Sequence, residues 1–150
     1  MKIMNSIKIL GLSALAVAIA TGCATSAVKA PAANAAVTPG GTVTATLTDM
    51  KISLDRATIN AGQVTFVVKN AGAVAHELVV LQTKVSADKL APNADEAGKM
   101  DETGNIGETG DMEVGGTKTF TVMLPAGSYV LMCNEVGHYA SGMRMAFIVN

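Results

Sequence analysis

The sequence predicts an all-β protein, a Greek-key β-sandwich of about seven to eight strands. From residue 42 onward the chain consists of short segments rich in Val, Ile, Thr and Leu, and β-branched residues favour strands. Several segments alternate apolar and polar residues, as a strand with one buried face does. Asn- and Gly-containing turns separate the segments, and many short strands with such punctuation are typical of a sandwich.

The first 22 residues are predicted to be a signal peptide. Lys2 and Lys8 supply a positively charged start, and the apolar stretch Ile9–Ala20 is too short to span a bilayer. Small residues precede Cys23, as at a bacterial lipoprotein cleavage site, where Cys23 becomes a lipid-modified N-terminus. An ordinary signal peptide, cut a few residues further on, is the alternative.

Residues 23–41 are predicted to be a low-complexity tether. They are rich in Ala, contain Pro31 and Pro39, and show no amphipathic period. The whole chain carries 11 basic and 12 acidic residues. This low and balanced charge argues against a nucleic-acid-binding surface.

Residues 42–150 are predicted to form the folded domain. Its first strand alternates Thr with apolar residues, and the fourth is rich in β-branched residues. Turns at 60–62 and 70–72 each contain Asn and Gly, which tolerate turn conformations. The predicted strands are Thr42–Leu47, Met50–Leu54, Ala57–Ile59, Gln63–Lys69, His76–Leu81, Thr117–Leu124, Ser128–Cys133 and Met143–Val149.

The last third of the chain holds three side chains that bind soft metals. Cys133, His138 and Met143 follow the spacing C-x4-H-x4-M, between two apolar segments. Gly137 and Gly142 allow the intervening loop to fold tightly. His76 is the only other histidine in the chain, and it is the candidate for a fourth ligand.

Side-chain alternation predicts where these residues point. One face of the strand before Cys133 also carries Tyr129 and Leu131, and one face of the strand after Met143 also carries Met145 and Phe147. Val64, Phe66 and Val68 are predicted to form the opposing wall of the core. On this arrangement Cys133 and Met143 reach the core at one end of the sandwich, and His138 lies nearer the solvent.

Two imidazoles, one thiolate and a weakly bound thioether are the ligand set of a blue copper centre. A single buried Cys or Met is more often a core residue. Here, however, both histidines and the only cysteine of the predicted folded domain fall into one pattern. The prediction is a copper site formed by His76, Cys133, His138 and Met143.

The segment 41–150 resembles the cupredoxins, most sharply over Cys133–Met143 and at His76. In ligand spacing it is most similar to the rusticyanin, auracyanin and sulfocyanin group. The resemblance implies one copper ion per chain, cycling between Cu(I) and Cu(II), and an exposed edge of His138 as the electron port. Val136, Tyr139 and Ala140, its neighbours in the sequence, are predicted to form an apolar rim around that edge, or else are plain loop residues.

Two positions depart from the pattern of this family. Many cupredoxins carry Asn directly after the first histidine, where it braces the cysteine loop; here the residue is Glu77. Many carry Pro before the Gly-His of the loop; here it is Val136. Glu77 is expected either to accept a hydrogen bond from the loop backbone or to face solvent.

Residues 84–113 are predicted to be an acidic insertion, with eight acidic residues against three lysines. A short helix within Ser86–Met100 is expected, with Ser86 as N-cap and Pro92 as its breaker. The segment is interpreted either as a docking face for a basic redox partner or as a solvated insertion.

The predicted function is single-electron transfer between redox partners in the cell envelope. The expected partners are a c-type cytochrome or a terminal oxidase or reductase, and a membrane through a lipid anchor at Cys23. We expect an exported monomer, periplasmic or at the cell surface, that binds no nucleic acid. The protein is not expected to be an enzyme, because a second copper site would need a third histidine.

Two alternatives keep the metal and change the role. The first is a periplasmic copper-binding or copper-trafficking protein without electron transfer. The second is a zinc site, since one thiolate and two imidazoles also bind Zn²⁺, although a thioether is a poor fourth ligand for it.

Overall fold

The structure, a computed structural model, describes residues 39–150. The predicted signal peptide, Cys23 and most of the predicted tether therefore lie outside the described residues. The described part forms nine strands: β1 (Pro39–Thr48), β2 (Lys51–Leu54), β3 (Thr58–Ile59), β4 (Gly62–Asn70), β5 (Val79–Gln82), β6 (Asn105–Glu108), β7 (Thr117–Leu124), β8 (Gly127–Met132) and β9 (Arg144–Val149). Each of the eight predicted strands overlaps one of these.

The strands form two sheets. One has the order β2-β1-β4-β7 and the other the order β3-β9-β8-β5-β6. The β1–β4 and β3–β9 pairs are parallel, and the other pairs are antiparallel. The all-β sandwich predicted from the strand pattern is confirmed.

Apolar residues of both sheets form the core between them. Val64, Phe66 and Val68 on β4 are fully buried, as alternation predicts for one face of a strand. They belong to the same apolar cluster as Tyr129 and Leu131 of the other sheet. The phenyl rings of Phe66 and Phe147 lie 5.9 Å apart between centroids, so the predicted opposing wall is confirmed.

A second apolar cluster lies on the outer face of the five-stranded sheet. Its buried members come from β5, β8 and the loop after Cys133, and the acidic segment 84–113 covers it with Ala87, Leu90 and Met100. These packed side chains explain how so polar a segment is held against the domain. The cluster's buried residues are Val79, Leu81, Val130, Met132 and Tyr139.

The helix expected within Ser86–Met100 is wrong. The segment instead forms turns and an isolated bridge between Pro92 and Met100. Pro92 supplies no amide hydrogen, and Gly98 adopts a φ of 85°, which belongs to a turn and not to a helix. The apolar side chains of this segment are spaced to reach the sheet beneath them.

Two further details differ from the sequence prediction. Strand β6, within the acidic segment, was not predicted; it pairs with β5. His76 lies before β5 and not within it, in an isolated bridge with Met112. Across residues 39–150, no helix has the length and apolar character that crossing a membrane requires.

Candidate metal centre

The loop between β8 and β9 positions three of the four predicted ligands. Cys133 directly follows β8 and Met143 directly precedes β9. The amide of Cys133 donates to the Met143 carbonyl at 3.0 Å, and the amide of Met143 donates to the His138 carbonyl at 3.1 Å. Gly137 and Gly142 adopt φ values of 81° and 115°, so the loop uses its glycines in the predicted way.

His76 reaches the same end of the sandwich from a distant part of the chain. Its amide donates to the Met112 carbonyl at 3.2 Å, and the amide of Met112 donates back to the His76 carbonyl at 2.8 Å. His76 is fully buried. This paired backbone contact fixes its Cα, so the ring has little freedom to leave the site.

The donor atoms of His76, Cys133 and His138 converge within 4.8 Å of one another. The Cys133 Sγ lies 3.3 Å from Nδ1 of His138 and 3.9 Å from Nδ1 of His76. The two Nδ1 atoms are 3.2 Å apart. A metal bound at about 2.3 Å from sulfur and about 2.0 Å from nitrogen needs donors roughly 3–4 Å apart, so these donors fit a bound metal ion.

Met143 is fully buried and belongs to the same core cluster as Cys133. Its backbone makes hydrogen bonds with the backbones of both Cys133 and His138. A thioether is a soft donor suited to copper. The role of the Met143 sulfur as a weak axial ligand stays a prediction.

Burial shifts the pKa values of two donors, Cys133 and His138. Burial raises the pKa of the Cys133 thiol above 9.0, although the Glu77 amide donates a hydrogen bond to Sγ at 3.4 Å. The free thiol is therefore the resting form, and a bound metal would displace its proton. Burial, with the nearby His76, lowers the pKa of His138 below 6.5, which favours the neutral imidazole that binds metals.

Glu77 supports the loop from beneath. Its side chain is buried, and Oε1 accepts a hydrogen bond from the amide of Asn134 at 3.1 Å. Burial, followed by repulsion from Glu102 and Glu108, raises its pKa from 4.5 to about 7. Of the two interpretations of this position, the hydrogen bond to the loop backbone is the one observed.

Asn134 ties the cysteine loop to the acidic segment, a role that the sequence did not reveal. Its Oδ1 accepts from the Met100 amide at 2.7 Å, while its Nδ2 donates to the Met100 carbonyl at 3.0 Å and to Glu102 Oε1 at 2.7 Å. The polar residue directly after Cys133 was the only local signal. Its partners lie more than thirty positions away, so the spacing of residues along the chain could not identify them.

The predicted rim around His138 is wrong for Tyr139. Val136 is 63% exposed and Ala140 is exposed, but Tyr139 is buried. Its hydroxyl donates to the Ala87 carbonyl at 2.7 Å, and the Arg144 guanidinium lies 4.8 Å from the ring centroid. The aromatic ring buries more of its apolar surface under the acidic segment than it would on the solvent-facing side of the loop.

Asp49, which the sequence analysis did not single out, lies behind His76. Its Oδ1 is 3.2 Å from Nε2 of His76 and accepts a hydrogen bond from the Ala73 amide at 2.9 Å. The bond from Ala73, with a smaller contribution from His76, lowers the pKa of Asp49 below 3.8. The carboxylate is therefore ionised at neutral pH.

The fold and the donor set together define a cupredoxin, a small sandwich with a mononuclear copper centre. The family model of copper-binding proteins of the plastocyanin/azurin family matches residues 39–150. The chain belongs to this family, and its cofactor is one copper ion. In general terms it is a copper-binding electron carrier, as the family is.

Solved structures similar to this chain include auracyanins and rusticyanin. Reduced auracyanin from Roseiflexus castenholzii is 23% identical, with a TM-score of 0.56 over 74% of this chain and 97% of that one. Rusticyanin from Thiobacillus ferrooxidans is 20% identical, with a TM-score of 0.54 over 75% and 79%. Auracyanin A from Chloroflexus aurantiacus is 23% identical, with a TM-score of 0.51 over 73% and 100%. These likenesses show the shared fold, and no curated protein sequence matches the chain.

Proposed function

We propose that this protein is a blue (type-1) copper protein that shuttles single electrons between redox partners in the cell envelope. In this proposal His76, His138 and Cys133 are the strong ligands and Met143 is the weak axial ligand. The observation that carries it is the convergence of two imidazoles and one thiol within 4.8 Å at one end of the sandwich. Such a donor set accommodates both Cu(I) and Cu(II).

The surroundings of the donors suit repeated electron transfer. Cys133 and His76 are fully buried, and backbone hydrogen bonds hold Cys133, His138 and Met143 in one closed loop. A framework held in this way keeps the donors in place when the charge of the site changes, and it excludes water. His138 is partly exposed, so its imidazole offers the shortest way between the buried site and a docked partner.

The first test is the visible spectrum of the purified full chain loaded with Cu(II). We expect an intense blue or green band from the thiolate-to-copper transition, which bleaches with ascorbate and returns with an oxidant. The Cys133→Ser variant should lose this band, because a hydroxyl cannot supply the thiolate. Copper or zinc binding without such a band would favour trafficking or a structural metal, and electron transfer would be refuted.

A second pair of variants tests the axial ligand. Met143→Leu is expected to retain the colour and raise the reduction potential, since a thioether donor is lost near the metal. Met145→Leu is the matched control, because Met145 is a partly buried methionine that packs against the same core cluster. Equal potentials in both variants, or a colourless Met143→Leu protein, would refute the assignment of Met143.

The proposed partners are basic redox proteins, such as a c-type cytochrome or a terminal oxidase or reductase. The acidic segment lies directly beside the metal loop: the Gly137 amide donates to the Gly98 carbonyl at 3.0 Å. Asp95, three positions before Gly98, is exposed. Negative charge next to the port would steer a basic partner to it and speed encounter.

Salt dependence tests the role of the acidic segment. Association with a basic c-type cytochrome should slow as salt is added, because exposed charges are screened beyond about 10 Å at 0.1 M ionic strength. Asp95→Asn should weaken this dependence, and Asp55→Asn, outside the segment, should not. Rates independent of ionic strength would favour the alternative of a solvated insertion.

Export and lipid anchoring are proposed from the sequence of residues 1–23. The basic start, the apolar stretch and Cys23 support an exported protein, periplasmic or at the cell surface, anchored through Cys23. Mass spectrometry of the protein purified from membranes tests this. A diacylated Cys23 is the expected N-terminus, and an unmodified N-terminus at a later residue would refute the anchor.

A further inference from the structure

The ring of His76 is contacted on both of its nitrogens. Nδ1 faces the metal site, 3.9 Å from Cys133 Sγ. Nε2 faces away from it, 3.2 Å from Asp49 Oδ1. The imidazole is fully buried, whereas the Asp49 side chain is 48% exposed, so one charged group joins the buried ring to the surface.

The chain holds Asp49 in this place by a tight turn. Asp49 and Met50 alone connect β1, which ends at Thr48, to β2, which begins at Lys51. Met50 adopts a φ of 62°, the left-handed region that a residue with a Cβ rarely adopts. Strained backbone next to a site is a reason to look for a functional constraint there.

The bend that follows β4 leaves room for this contact. A Cβ on Gly72 would lie 2.6 Å from His76 Nε2 and would also collide with Asp49 Oδ1. The neighbouring Ala73 amide donates to the same carboxylate oxygen at 2.9 Å. Gly72 and Ala73 thus line a narrow pocket that holds the Asp49 carboxylate and the edge of the His76 ring.

The chemistry of imidazole explains what the carboxylate does. A neutral imidazole carries one proton, so one nitrogen donates and the other accepts. A carboxylate opposite Nε2 keeps the proton there, which leaves the lone pair of Nδ1 free for a metal. Carboxylates placed behind metal-binding histidines fix the ring and make it a stronger ligand.

We propose that Asp49 is a positioning residue of the copper site, which orients His76 and stabilises Cu(II) relative to Cu(I) through its negative charge. The inference rests on the proposed function, since it takes His76 as a copper ligand. The divalent state gains more from a nearby negative charge than the monovalent state does. Removing the charge should therefore weaken Cu(II) binding more than Cu(I) binding.

The decisive variant is Asp49→Asn, which keeps the size and an acceptor oxygen and removes the charge. We expect a loss of Cu(II) affinity of about tenfold relative to Cu(I), which raises the reduction potential by about 59 mV for a one-electron couple. Asp49→Ala removes the acceptor as well, and it should lose about 10- to 100-fold in Cu(II) affinity. Competition titrations and voltammetry of the full chain measure these quantities.

Asp55→Asn is the control for loss of one negative charge, because Asp55 directly follows the other end of the same strand β2. A potential for Asp49→Asn equal to that of Asp55→Asn would overturn the proposal. So would a lower urea midpoint of the copper-free Asp49→Asn protein with no change in potential, since Asp49 would then be purely structural. Should Asp49→Asn not fold, the potential of Asp49→Ser decides in its place.

The outcomes separate this inference from the proposed function. A wild-type protein without the thiolate-to-copper band refutes the function itself. A blue wild-type protein whose potential is indifferent to Asp49 refutes only the role of Asp49.

Discussion

Replacing Glu77 by Gln should change how the stability of the copper-free protein depends on pH. Glu77 is 8% exposed, and its pKa is raised from 4.5 to about 7. Gln keeps an oxygen that accepts the hydrogen bond from Asn134 and cannot ionise. The variant therefore removes the titration and leaves the contact in place.

The sign follows from which state binds the proton more tightly. Between pH 4.5 and 7 the unfolded chain has lost the Glu77 proton while the folded protein keeps it, so rising pH favours unfolding. Below pH 4.5 both states are protonated, and the destabilising effect is absent. Above pH 7 Glu77 is ionised in both states, and its burial lowers the free energy of unfolding by about 3 kcal/mol. This value takes about 1.36 kcal/mol for each tenfold change in the ionisation constant.

The assay is urea unfolding of copper-free wild type and Glu77→Gln at several pH values from 4.5 to 8. From pH 4.5 to 8 the free energy of unfolding of Glu77→Gln should rise by about 3 kcal/mol relative to that of wild type. The prediction concerns this change with pH and not the difference between the two proteins at pH 4.5. Glu113→Gln removes one negative charge from an exposed position and controls for net charge. A difference between Glu77→Gln and wild type that stays constant with pH would refute this account of Glu77.

Three further substitutions test the packing around the site, each by urea unfolding. Asn134→Ala leaves the partly buried Met100 and Glu102 without a hydrogen-bond partner and should cost about 1–3 kcal/mol, with faster hydrogen exchange at the Met100 amide; unchanged exchange would show that Asn134 does not hold the acidic segment. Gly72→Ala should cost about 1–3 kcal/mol by overpacking and should weaken copper binding. A wild-type copper affinity would show that the pocket beside Gly72 is not tightly packed. Phe147→Ala should cost about 3–5 kcal/mol, whereas Ile148→Ala, at a 40% exposed neighbour, should cost far less; similar losses would place the core elsewhere.

The parts of the site that the sequence predicted are those encoded locally. Cys133, His138 and Met143 lie within eleven residues, and two glycines between them indicate a tight loop. His76 could be added because the chain has only one other histidine. The sandwich followed from alternation, since burial of one face is a local pattern with period two.

The features that were missed depend on contacts between distant parts of the chain. Asp49 meets His76 across 27 positions, and an exposed turn aspartate carries no sign of its partner. Tyr139 was placed at the rim because it follows His138, but the second apolar cluster buries it. The helix expected in the acidic segment is absent because Pro92 and Gly98 favour turns, and contacts of Leu90 and Met100 with the distant sheet hold these turns in place.

The order in which the chain folds depends on contacts between distant segments. Two of these are the parallel pairing of β1 with β4 and the contact of His76 with Cys133 across 57 positions. Contacts between distant segments form slowly, because a long loop must close before they stabilise the chain. The donors gather only when β5 has paired with β8 and the loop before β9 has closed. The complete donor set therefore exists only in the folded chain, so copper bound by these donors would stabilise the native state against unfolding.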